Sequence, residues 1–170
     1  MLRNSEIKLR AVEPSDAEIM LNWRFAPENY DYFYEYSPVG VEMQRAWMAS
    51  IAQRNDQVNF IAETVLEKKA FGMVSLTDID LRNRKAELAR VLIGDDTFRG
   101  TGKGRMMVEL CLEYAFGHLN LHKVYLEVFA DNSRAVSFYK GMGFEQDGVF
   151  KEHIFKSGSY KDVIHMSLKG

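Results

Sequence analysis

The stretch RGTGKGR, residues 99–105, sets three glycines and three basic side chains in seven positions, between an apolar run and a Met-rich helical pattern. Glycines let backbone N–H groups approach an anion closely. A helix starting just after them adds unpaired N–H donors and the positive end of its dipole. The chemistry this suits is the holding of a phosphate. Spacing excludes two well-known phosphate loops. A Walker A loop requires GxxxxGK followed by Ser or Thr, but Lys103 is followed by Gly104, and Thr97 stands five before Gly102. A GxGxxG dinucleotide loop requires a glycine where Met107 stands in one register and where Arg105 stands in the other.

The elements around this turn follow from periodicity. EIKLRAV at 6–12 alternates as a strand, and Pro14, Ser15 and Asp16 then open a helix, AEIMLNWRF, that ends before Pro27. A segment with tyrosines at 30, 32, 34 and 36 leads to a second helix, VEMQRAWMASIAQR. VNFIAETV, AFGMVSLTDI and KAELARVLI, separated by the turns LEKK and LRNR, read as an antiparallel meander. From Gly102 to His118, Met107, Leu110, Cys111 and Tyr114 fall at the spacing of one buried helical face, and HKVYLEVFA follows as a strand. Asp131 and Ser133 open SRAVSFYKGM, which closes at Gly141 and Gly143, and strands near 144–155 and 160–168 finish the chain. The expected class is α/β, with a central mixed, largely antiparallel sheet of about seven strands flanked by about four helices.

Composition acts mainly by exclusion. The 170 residues, 46% apolar, suit one domain over 1–170 with a real core. With 22 Lys plus Arg against 24 Asp plus Glu, the net charge of −2 gives no basic field for nucleic acid. No apolar run approaches the ~20 residues needed to cross a bilayer, so no membrane partner is expected. MLRNSEIKLR lacks the apolar core of a signal peptide and Cys111 is a lone cysteine, so a cytoplasmic location is expected. His118, His122, His153 and His165 have no HxxxH or HExxH spacing, so no metal is expected; Cys111, at core-facing helical spacing, reads as a buried small residue.

Arg99-x-x-Gly102-x-Gly104, after a strand and at the head of a helix, resembles the acetyl-CoA pyrophosphate loop of the GNAT superfamily of N-acetyltransferases. Asn132-x-x-Ala135-x-x-x-Tyr139-x-x-x-Gly143-Phe144 is similar to that superfamily's later motif, one helix and one strand further on. EIKLRAVEPSDA and FKSGSYKDVIHMSL look like its RimJ/RimL-type branch, which includes polyamine and nucleotide-amino-sugar acetyltransferases. The resemblance implies a GNAT fold, acetyl-CoA as cosubstrate, and direct attack of a primary amine in a ternary complex. In its terms, backbone N–H groups from Gly100 through Thr101, Gly102 and Lys103 to Gly104 face the pyrophosphate, with Arg99, Lys103 and Arg105 adding charge. The backbone of Val91, Leu92 and Ile93 lies beside the pantetheine arm, Asn132 contacts it, and Tyr139 is the general acid that protonates the leaving thiolate.

An alkylamine of pKa ~10 is only about one part in a thousand neutral at pH 7, so a base is useful. Glu87 in KAELARVLI resembles the acidic residue used this way, with the alternative of a surface carboxylate paired to Arg84 or Lys85. Ser75, Thr77 and Asp78 on the preceding strand could place a water or touch the acceptor. Trp23, Arg24, Tyr32, Tyr34 and Glu35 are the candidate acceptor contacts. Rings with Glu28, Asp31 and Glu35 suit a polycation; rings with Arg24 suit a base and diphosphate. The same tyrosines would also alternate in an edge strand or lid packed on the core. A small-molecule amine, polyamine or amino-sugar nucleotide, leads; an N-terminal amine of a ribosomal protein or peptide and a non-catalytic CoA-binding sensor are the alternatives. A homodimer or larger homo-oligomer is compatible, one subunit completing a cleft that another leaves open.

Overall fold

A computed structural model describes residues 2–170. Its elements are β1 (Ile7–Ala11), α1 (Ala17–Phe25), α2 (Pro27–Tyr30), α3 (Val41–Ile51), β2 (Val58–Thr64), β3 (Ala70–Asp80), β4 (Lys85–Ile93), α4 (Lys103–Glu113), β5 (Lys123–Phe129), α5 (Ser133–Gly141), β6 (Glu145–Lys156) and β7 (Ser159–Lys169). They form one seven-stranded sheet in the order β1-β2-β3-β4-β5-β7-β6. The mixed, largely antiparallel α/β architecture matches the expectation. Every strand pair is antiparallel except β4 with β5, whose parallel pairing requires the α4 crossover between them.

Period-2 alternation sorts the core onto two faces. Phe60, Ala62, Val74 and Leu76 join Met107, Val108 and Cys111 of α4 on one face. Ile61, Met73 and Leu92 join Met20, Trp23 and Met48 of α1 and α3 on the other. Both faces of β2 and β3 are covered, so these strands read as near-continuous apolar runs.

Trp23, expected at the acceptor, is instead 6% exposed within this second cluster. A Cβ placed on Gly94 would lie 2.0 Å from its ring, so the glycine exists to let the indole in. Gly94→Ala is expected to cost about 3 kcal/mol, read as a lowered urea midpoint with an unchanged slope.

Two further departures concern helices. Pro27, which ends α1, also starts the short α2, where its missing N–H is no loss and its φ is already helical. The 31–40 segment then runs as turns and bends, not as an edge strand. The helix expected to run to His118 is regular only to Glu113 and closes in a π-turn over Tyr114–His118. None of the described helices is long and apolar enough to cross a membrane.

What positions a site is the fork between β4 and β5. Their ladder comprises Lys85 with Lys123, Ala86 with Val124 and Glu87 with Tyr125, and beyond it the strands separate. A bulge in β4 helps turn it away: the register against β3 shifts between Ala89 and Leu92, with Arg90 at φ +52°.

Candidate active site

The fork opens into a cleft of about 1510 Å³. Glu87, Val91, Leu92, Ile93, Arg99, Gly100, Gly102, Gly104, Arg105, Asn132 and Tyr139 line it, and Thr77, Tyr32, Tyr34 and Glu35 line it towards the acceptor side. Thr101, Lys103, Trp23 and Arg24 lie outside its lining.

At the glycine turn, Gly100 and Gly102 sit at φ +74° and +84°, a region that L side chains adopt only with strain. Thr101 is held by its own turn, its hydroxyl donating to the Phe98 carbonyl at 2.7 Å. The first helical bond of α4 is Met106 N–H to the Gly102 carbonyl, 3.1 Å. Among the described residues, the N–H groups of Gly102, Lys103, Gly104 and Arg105 therefore find no acceptor in the chain. Four free donors at a helix start make an anion seat without side-chain charge.

The basic side chains are largely committed elsewhere. Lys103 Nζ donates to Glu6 Oε2 at 3.1 Å, outside the cleft, which corrects the expectation that its charge faces the phosphate. Arg99 donates to Asn29 Oδ1 and to the Ile93 carbonyl, both at 2.8 Å, and pairs with Asp96; its guanidinium ties α2 to the end of β4. Arg105 spans Glu109 Oε1 (2.8 Å) and the Gly141 carbonyl (3.2 Å), joining the start of α4 to the end of α5.

Across the fork, Asn132 both caps α5, accepting the Ala135 N–H at 3.1 Å, and faces the cleft. Tyr139, on the cleft side of α5, is wedged edge-on between Phe138 and Phe144 at 5.2 and 5.6 Å. Only 9% of it is exposed, and burial pushes its phenol well above the ordinary tyrosine value, so it stays protonated.

Glu87, the last residue of β4 paired to β5, stands where the strands part. Thr77 Oγ1 donates to its Oε2 at 2.9 Å. Arg84 instead donates to Asn120, so the surface-pair alternative does not hold for that partner. Burial is the largest cause that raises the Glu87 pKa, reinforced by the charges of Glu127 and Asp78; the Thr77 hydrogen bond and Arg90 act the other way.

Residues 6–145 match the family described as the acetyltransferase (GNAT) domain. The chain belongs to the GNAT acetyltransferases. It is an N-acetyltransferase, with acetyl-CoA as donor. It is 30% identical over 163 residues to the spermidine N(1)-acetyltransferase of Vibrio cholerae, spanning 96% of this chain and 92% of that one. The Escherichia coli (strain K12) spermidine N(1)-acetyltransferase is 28% identical over 172 residues, 95% and 85% of the two chains. The crystal structure of the Vibrio cholerae spermidine N-acetyltransferase in complex with CoA and spermine superposes with a TM-score of 0.90, over 98% of this chain and 96% of that one.

A strap, residues 31–36, lines one side of the cleft. Tyr34 packs on Phe129 with ring centroids 5.2 Å apart, and its hydroxyl donates to Glu127 Oε2 at 3.0 Å. Burial, with Glu127 and Glu87 nearby, raises its phenol and keeps it a donor. Glu35 pairs with Arg24, whose guanidinium lies under the strap, 5.6 Å from the Phe33 ring. Arg24 is thus a strap anchor, which corrects its reading as an acceptor contact.

Two residues here escaped the sequence reading. Glu127 lies on β5 two residues past the last pair with β4; the alternation of Val124, Leu126 and Val128 into the core shows that it faces the other way, but only the fork turns that face into a cleft wall. Lys156, at the tip of the β6–β7 hairpin, is 4% exposed; its Nζ donates to the Glu35 carbonyl at 2.5 Å and sits 4.0 Å from the Tyr30 ring centre. No local signal marks such a long-range contact. Lys156→Met removes a buried hydrogen bond and a cation–π contact, and is expected to raise the acceptor KM about tenfold, with the acetyl-CoA KM unchanged in steady-state kinetics.

Proposed function

We propose that this enzyme moves the acetyl group of acetyl-CoA to a primary amine of a polyamine of the spermidine class, by direct attack in a ternary complex without metal or covalent enzyme intermediate, in the cytoplasm. The observation that carries the acceptor class is the set of carboxylates at the fork: Glu87, Glu127 and Asp78 line one stretch of cleft, with Asp31 on the strap. Successive ammonium groups of a polycation match such a wall. The spermidine specificity in the names of the relatives supports the same class. The amino-sugar-nucleotide alternative needs a ring and a free cation for the diphosphate. The pair read from the sequence for that role does not meet the cleft: Trp23 is in the core, and Arg24 is paired with Glu35 under the strap.

In this mechanism the free N–H groups of Gly102 through Arg105 and the α4 dipole bind the pyrophosphate. The edge of β4 that faces away from β3, from Leu88 onward, has no β5 partner, so its backbone is free to pair with the pantetheine arm beside Asn132. Glu87 takes the proton of the acceptor ammonium, directly or through a water. The amine nitrogen then bonds to the thioester carbonyl carbon, the C–S bond breaks as Tyr139 gives its phenolic proton to the departing thiolate, and the surplus proton on the new amide nitrogen is released to restore the phenol.

Charge at the wall separates polyamine recognition from amine chemistry. Glu127→Gln is expected to raise KM for spermidine about tenfold while changing KM for a monoamine of similar length less than about twofold. Equal changes for both amines would contradict the polyamine reading.

A further inference from the structure

Behind the strap, between α1, α3 and β4, lies a second, smaller cavity of about 40 Å³. Two guanidinium groups face it, Arg24 from α1 and Arg90 from the β4 bulge. The one carboxylate on its wall, Glu35, pairs with Arg24. Among the described residues Arg90 has no carboxylate in ion-pair contact: it lies 5.0 Å over the Trp47 ring and reaches Asn59 Oδ1 only at 3.4 Å. Arg24 Nε is buried and has no hydrogen-bond partner. Gln44, 2% exposed, completes the wall.

We propose that this cavity binds a small monovalent anion of chloride size between Arg24 and Arg90. On this wall two cations face one carboxylate across a mainly apolar void, with Glu87 and Asp78 reaching Arg90 only through longer-range attraction, and an orphaned N–H points to an acceptor that the chain does not supply. Burying a charge without a counter-charge is costly, whereas a water would satisfy the N–H and leave the imbalance. The volume suits one or two atoms of water size, which excludes a phosphate ester or a nucleotide. Burial and the mutual repulsion of the two arginines both disfavour the charged form of Arg24, the tension that an anion between them relieves. Because Phe33, Glu35 and Arg90 belong both to this wall and to the lining of the main cleft, the anion is a structural brace for the strap beside that cleft.

The test is thermal melting of the purified protein at constant ionic strength with chloride exchanged for gluconate, which is too large for the cavity, together with diffraction from crystals grown in bromide. The expected result is a saturable rise in Tm of about 3 °C between about 1 and 100 mM chloride, and an anomalous bromide peak between the two guanidinium groups. Gln44→Glu places a carboxylate at the same wall; it is expected to melt near the chloride-saturated wild-type value and to lose the chloride response. Equal melting in chloride and gluconate, a rise that does not saturate, no bromide in the cavity, or a full chloride response in Gln44→Glu would each overturn the proposal.

Discussion

Tyr139→Phe is expected to lower kcat about 10³-fold and to leave the dissociation constant of acetyl-CoA within about twofold. The substitution removes one oxygen and keeps the ring that Phe138 and Phe144 hold edge-on, so the cleft wall keeps its shape. In the proposed mechanism, what is lost is the proton for the thiolate. Burial holds the phenol protonated far above neutral pH, as a donor must be, and Tyr139 lines the cleft. Equilibrium binding of acetyl-CoA alongside steady-state turnover separates this role from support of the cleft, since a structural tyrosine would weaken both together.

Glu87→Gln is expected to lower kcat/KM for the acceptor about 10³-fold at pH 7 and to change the shape of the pH profile. Burial first, then Glu127 and Asp78, raises the Glu87 pKa. Below that value Glu87 carries a proton and accepts none, so the wild-type rate climbs with pH through a limb lying above the ordinary glutamate range. The glutamine variant has no such limb. Its rate follows the neutral fraction of the free amine and rises tenfold per pH unit towards pH ~10, where it approaches wild type. A variant that kept the wild-type profile at a uniformly lower rate would show that Glu87 positions the acceptor and takes no proton.

The chemistry-bearing backbone was the part legible in the sequence. Glycines at 100 and 102 announce a backbone that an anion can approach closely, and a helix start after them announces free N–H donors; both are local consequences of residue type, and the structure puts the two glycines in the left-handed region just ahead of α4. Asn132 and Tyr139 were legible because a cap and a face of one helix are also local. Side-chain destinations were not. Whether Lys103 faces a phosphate or Glu6 depends on how close β1 comes to the head of α4, and whether Trp23 meets substrate or core depends on Gly94, far along the chain. Glu127 became visible only with the fork, a property of two strands that neither strand encodes alone. Lys156 meets Glu35 across 121 positions of sequence, which no periodicity anticipates.

The most direct test of the account follows release of free CoA thiol when the purified protein is given acetyl-CoA and spermidine, with the mass of the amine product read in parallel. The account predicts one thiol released per acetyl group gained by spermidine, with saturation in both substrates and no release from acetyl-CoA alone at a comparable rate. Thiol release without acetylated spermidine, or tight binding of acetyl-CoA with no transfer to spermidine or any other polyamine, would contradict it.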